Sequence, residues 1–146
     1  MTTPRDPDFE RRVRESFVRQ RFMATLGATL DVVRVGEVHI GFTHREELTQ
    51  QHGYLHAGVL ASVADSACGY AALSLMEPGA GVLSIEFKIN MLAPAVGTRF
   101  VAVGRVVRSG RTITVCTGEV RDEDGTSLVA MMQATMMAVR GKGLND

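Results

Sequence analysis

The chain has 146 residues, enough for one domain with a sizeable core and too few for two of ordinary size. Sixteen lysines and arginines balance sixteen acids, which excludes the basic field of a nucleic-acid binder and the acidic run of a solvating tail. Cys68 and Cys116 show no metal or redox spacing and read as small core residues of a protein kept in a reducing compartment.

Residues 1–26 read as an N-terminal helical arm. Pro4 and Pro7 make a loose start, and Asp8 is placed to cap a helix whose Phe9, Val13 and Phe17 recur at i, i+4 and i+8. Arg11, Arg12, Arg14 and Arg19 are then expected to face solvent. The segment has no apolar signal-peptide core, and Asp6, Asp8, Glu10 and Glu15 do not suit an acid-poor transit peptide, so a cytoplasmic location is expected.

A helical turn near Phe22–Leu26 precedes two strands, Thr29–Val35 and Glu37–Thr43, which the turn residue Gly36 joins into a hairpin. A polar loop over 44–56 then runs into Ala57–Met76, a stretch with no charge except Asp65. As a membrane span this segment is poor. Ala, Gly and Ser insert weakly, a central Asp costs roughly 2.5–3.5 kcal/mol, and the flanks are His56 and Glu77 rather than a basic cluster. The spacing predicts instead a helix wrapped by other elements and stopped by Pro78-Gly79.

Strands follow. Over Val82–Leu92, Ile85, Phe87, Ile89 and Met91 alternate with Ser84, Glu86, Lys88 and Asn90, the period of a sheet with one wet face. Phe100–Arg108, Arg111–Arg121 and Ser127–Val139 complete the set, divided by turns at Ser109-Gly110 and at Asp122 to Gly125. The order β-β-α-β-β-β-β predicts one α+β domain over 1–146, an antiparallel sheet curled around a long central helix. Such a sheet has open edges and an apolar face to cover, so a dimer is the minimum expected.

Asp65 is the residue most suggestive of chemistry. A carboxylate in an apolar helix is either held by neighbouring hydroxyls, of which Ser62, Ser66 and Ser84 are candidates, or is poised for acid–base or nucleophilic work. The free N–H groups of the helix's first turn form a potential oxyanion site beside it. His56 reads as a helix cap, with a catalytic base as the alternative, and His39, His44 and His52 lack the partners of a metal set.

The chain resembles hotdog-fold acyl-CoA thioesterases of the phenylacetic-acid-degradation type. The resemblance rests on Gly53-Tyr54-Leu55-His56-Ala57-Gly58, Ala64-Asp65-Ser66-Ala67, Ser84-Ile85-Glu86-Phe87, Ala93-Pro94-Ala95 and Val107-Arg108-Ser109-Gly110-Arg111. It implies a hotdog fold, hydrolysis of an acyl-CoA by water with no cofactor and no metal, and a homotetramer built from dimers. It further implies a site shared between subunits, with Gln50 and Ala57 from one and Asp65 from the other. Ala57 stands where the family usually has Gly; because the required group is a backbone N–H, Ala also supplies it. Ser84 matches a position often filled by Ser or Thr, from which it is expected to hydrogen-bond the Asp65 carboxylate or the water, and Gly58 is expected to bind substrate. Arg108, Ser109, Gly110 and Arg111 suit coenzyme A phosphates, or make a plain solvated hairpin. A hotdog hydratase or dehydratase using His56 with Asp65, and a non-catalytic acyl-CoA-binding protein, are the alternative functions.

Overall fold

Val38, Ile40 and Phe42 alternate along the second strand and are fully buried, and the same two-residue period organises most of a six-stranded sheet. The structure, a computed structural model, describes residues 3–146. Helices α1 (Phe9–Arg19) and α2 (Arg21–Thr25) precede the hairpin β1 (Thr29–Arg34) and β2 (Glu37–Thr43). The polar loop contains a short 3-10 turn over Glu46–Leu48 and leads to α3 (Ala57–Leu73). Then come β3 (Gly81–Met91), β4 (Arg99–Ser109), β5 (Ile113–Asp122) and β6 (Leu128–Val139). All pairings are antiparallel, in the order β1-β2-β4-β5-β6-β3. This is the expected α+β architecture, the hotdog fold, with α3 lying against the sheet.

Two glycines let α3 sit close. Gly104 of β4 and Gly118 of β5 are partners in the ladder. A Cβ on Gly104 would overlap the backbone of Ala67, and one on Gly118 would come within 3.0 Å of Cys68 Sγ. The helix backbone thus rests directly on the sheet, with Val63, Ala64, Ala67, Cys68 and Ala71 all buried beneath it. Both cysteines are core residues, and burial pushes both thiols up.

Three local expectations are corrected. Arg12 does not face solvent: it is 8% exposed. Its guanidinium donates to the carbonyls of Leu73 (3.0 Å), Met76 (2.8 Å) and Glu77 (2.6 Å) and pairs with Asp6 at 3.3 Å. The helix ends at Leu73, before Pro78, and Arg12 braces the turn that follows, adding a second donor to the Leu73 and Glu77 carbonyls, which also accept from the Met76 and Ala80 N–H groups. Asp8 precedes α1 but makes no side-chain cap bond. The alternation of β3 is broken by an irregularity between Ser84 and Glu86, and Leu83, Ile85, Phe87 and Met91 are each over 40% exposed. Strand β3 is an edge strand, paired on one side to β6, and these four side chains lack cover among the described residues, whereas Val82 and Ile89 pack against the core. Among the described residues no helix is long and apolar enough to cross a membrane.

Candidate active site

The predicted residues fall into two groups at opposite ends of β3. The first is built by the loop before α3. Gln50 and Tyr54 close a tight turn through Gln50 N–H to Tyr54 carbonyl at 2.8 Å, and the Gln50 Oε1 accepts from the His52 N–H. This holds the Gln50 amide in one orientation. The turn delivers the chain to His56, whose Nδ1 accepts from the Gly58 N–H at 2.8 Å. His56 is therefore the N-cap of α3, a role that occupies Gly58 N–H and leaves Ala57 N–H without an acceptor among the described residues. Gln50, Tyr54, Ala57 and Leu60 line a cleft of about 370 Å³, whose other wall is Met91 to Ala95. A helix N-terminus with a free N–H and a fixed amide suits a developing oxyanion.

The second group centres on Asp65, which faces away from the helix's buried side and is half-buried. Ser84 Oγ donates to Asp65 Oδ1 at 2.6 Å. Neither other candidate hydroxyl holds it: Ser62 donates to Gly58 carbonyl and Ser66 to Gln20 Oε1. Burial raises the Asp65 pKa above the usual carboxylate value, and the Ser84 bond partly opposes this. The pair lines a cleft of about 180 Å³ with Gln20, Gly69, Tyr70 and Asp146.

Within one chain these groups cannot meet. Ala57 and Asp65 are eight positions apart on α3, about 12 Å along its axis. Ser84 and Met91 are seven apart on β3, roughly 24 Å.

Arg108 and Arg111 are exposed at the turn where Gly110 N–H donates to Ile113 carbonyl at 2.8 Å. The ladders put Ser109, Thr114, Met136 and Ser84 in one row across β4, β5, β6 and β3. The turn is therefore about three strand spacings, roughly 14 Å, from Ser84 and at the same end of the sheet. Among the described residues no three His, Cys, Asp or Glu side chains converge as a metal set. The sequence reading missed Gln20, Tyr70 and Asp146 beside Asp65. Gly69, an interior helix glycine four positions after Asp65, was the available signal; the other contacts span 46 residues or more.

Known proteins share the fold of this chain. A thioesterase family protein from Silicibacter pomeroyi superposes with a TM-score of 0.88 at 50% identity, over 91% of this chain and 99% of that one. A proposed esterase of Saccharolobus solfataricus is 36% identical over 90 residues, a match that takes in 62% of this chain and 64% of the archaeal protein, under two thirds of its length. The 1,4-dihydroxy-2-naphthoyl-CoA hydrolase of Listeria monocytogenes is 26% identical over 81% of this chain and 94% of that one. The profile of the thioesterase superfamily matches residues 52–129, the stretch that carries Ala57, Asp65 and Ser84, and the chain belongs to that superfamily.

Proposed function

We propose that the chain is an acyl-CoA thioesterase whose site is assembled from two copies. One copy supplies Gln50 and the Ala57 N–H, the other Asp65 with Ser84. The observation that carries this is the placement of the two half-sites at the two ends of the exposed apolar edge strand β3. When an edge strand pairs antiparallel with a second copy of itself, its ends are exchanged. Ser84 of one copy then approaches Met91 of the other, and the Asp65 cleft opens onto the Ala57 cleft.

In that arrangement the thioester carbonyl lies at the start of α3, its oxygen facing Ala57 N–H and the Gln50 amide. Water adds to the carbonyl carbon as Asp65 takes its proton, the C–S bond breaks, and the thiolate leaves and is protonated to the thiol. One oxyanion donor of this kind is typically worth roughly 2.7–4 kcal/mol. In the alternative, Asp65 itself attacks the carbonyl carbon, the C–S bond breaks with loss of the CoA thiolate, and water opens the resulting mixed anhydride at the Asp65 carboxyl carbon. Single turnover in ¹⁸O water separates them: label enters the Asp65 carboxyl only in the second. Arg108 and Arg111, exposed and at the Asp65 end of the sheet, are suited to the phosphates of coenzyme A. The name of the Listeria relative supports a CoA thioester as substrate.

The test is thiol release from a panel of aryl- and alkyl-CoA thioesters, by the native protein and by Asp65→Asn. Release that vanishes in the variant supports the proposal; undiminished release contradicts it. Loss of the double bond from an enoyl-CoA without thiol release would support hydratase chemistry instead.

A further inference from the structure

On the thioesterase reading two copies pair through β3, and the strand itself carries the marks of one register. Its free edge is bounded at both ends. Val82 N–H, at the start of β3, donates to Asp146 Oδ2 at 2.8 Å and is closed to another strand. Leu144 lies so close to Gly81 that a Cβ there would come within 2.7 Å of its carbonyl oxygen, so the segment after β6 lies over the start of the strand. At the other end the Leu92 and Ala93 N–H groups both turn inward to the Val129 carbonyl, and Pro94 has no N–H to give. The open stretch runs from Leu83 to Met91, and its middle residue is Phe87.

The pairing of β3 with β6 is regular from Glu86 to Met91, against Thr135 to Ala130. Because Leu92 N–H points inward, alternation turns the N–H groups of Asn90, Lys88 and Glu86 inward as well, and those of Met91, Ile89 and Phe87 toward the free edge. Phe87, Ile89 and Met91 stand opposite Ala134, Met132 and Ala130, all buried, and so share the face that carries α3. Glu86, Lys88 and Asn90 share the outer face, where all three are exposed and Lys88 Nζ donates to Asn90 Oδ1 at 3.0 Å.

A two-fold antiparallel pair opposes edge-facing residues to edge-facing residues, so its centre moves in whole-residue steps and each step slides the copies by two residues, roughly 7 Å. Centred on Lys88, the pair sets Lys88 against Lys88; centred on Glu86, it sets Glu86 against Glu86. Like charges directly opposite are destabilising. Centred on Ile89, it leaves Glu86 facing Leu92. Only a centre at Phe87 puts Glu86 of each copy opposite Lys88 of the other, in the non-hydrogen-bonded positions where side chains lie closest. We infer that two copies pair about Phe87 and that the two reciprocal Glu86 to Lys88 pairs select this register. Ser84 then stands beside Asn90 and Met91 of the other copy, as the shared site requires, and one step of slippage displaces the half-sites by roughly 7 Å. Glu86 and Lys88 are thus positioning residues for a reaction that they do not touch.

Cysteine cross-linking reads the register without relying on turnover, since Cys68 and Cys116 are buried. Glu86→Cys and Lys88→Cys proteins are mixed, unfolded, refolded together and exposed to oxidised glutathione. The mixed dimer sets the two new thiols opposite each other, about 4.5 Å apart at Cα, and keeps one Glu86 to Lys88 pair. The mixture is expected to form its disulfide at least tenfold faster than either variant refolded alone. Charge reversal is the second readout. Glu86→Lys and Lys88→Glu are each expected to weaken self-association about tenfold or more in the ultracentrifuge, and the double variant to restore it, with circular dichroism unchanged throughout. Faster cross-linking by either variant alone, no cross-link in the mixture, or a double variant as weak as its parents would overturn the register. A native protein that stays monomeric would overturn both the register and the shared site. Cross-linking as expected in a protein that releases thiol from no thioester would retire hydrolysis and leave the register standing.

Discussion

Ser84 Oγ donates to Asp65 Oδ1 at 2.6 Å, tying the edge strand β3 to the one carboxylate of α3. Burial raises the Asp65 pKa and this bond opposes the rise. Ser84→Ala therefore moves the pKa further up. If the ionised carboxylate does the work, the acidic limb of the kcat/KM profile shifts to higher pH, and the ratio of variant to native activity falls as pH is lowered. A limb that stays in place would mean that Ser84 does not tune Asp65.

The same raised pKa makes Asp65 a stability cost. Below its unfolded value the proton is bound in both states and the penalty is absent. As pH rises through the higher folded value the ionised form is carried at a cost, so stability is lost in that window. Asp65→Asn is expected to match or exceed the native Tm at neutral pH, with the gap closing below about pH 4, while turnover is lost. Thermal melts across pH check this, and a markedly lower Tm at neutral pH would contradict it.

Arg12 carries a structural prediction. Arg12→Ala removes a charged donor from the carbonyls of Leu73, Met76 and Glu77 and leaves Asp6 without its partner. The loss is expected to be about 3 kcal/mol, the scale for breaking a buried charged hydrogen-bond set, and Arg12→Lys is expected to recover part of it. Urea denaturation measures both.

The contrast between Arg12 and its neighbours shows where the sequence was legible. Val38 to Phe42, the apolar run of α3 and the turn glycines signal themselves through local periodicity, which gives the succession of elements along the chain but not the order β1-β2-β4-β5-β6-β3 across the sheet. Arg12 sits in a run of arginines whose pattern is that of a wet face; only the third dimension puts the end of α3 over it. Ser84 and Asp65, 19 residues apart, were paired through family resemblance together with hydroxyl chemistry. Gln20, Tyr70 and Asp146 were not found, because nothing local in the chain brings an N-terminal glutamine and a C-terminal acid to one helix face. The alternation of β3 is legible in the sequence but its burial is not: Leu83, Ile85, Phe87 and Met91 await cover, while Val82 and Ile89 pack against the core.

That cover is expected to be a second copy. Phe87, 45% exposed at the middle of β3, lies where self-pairing would bury it. Phe87→Arg is expected to give monomers by light scattering and to abolish thiol release together with dimerisation. Full activity in a monomer would contradict the shared site.

Subunit complementation tests the central claim most directly. Gln50→Ala and Asp65→Asn proteins, each expected to be nearly inactive, are unfolded, mixed in equal amounts and refolded. Random pairing makes half of the dimers mixed, each with one intact site, so the account predicts recovery of about a quarter of native thiol release. A mixture no more active than its parents would contradict a site built from Gln50 and Ala57 of one copy and Asp65 of the other.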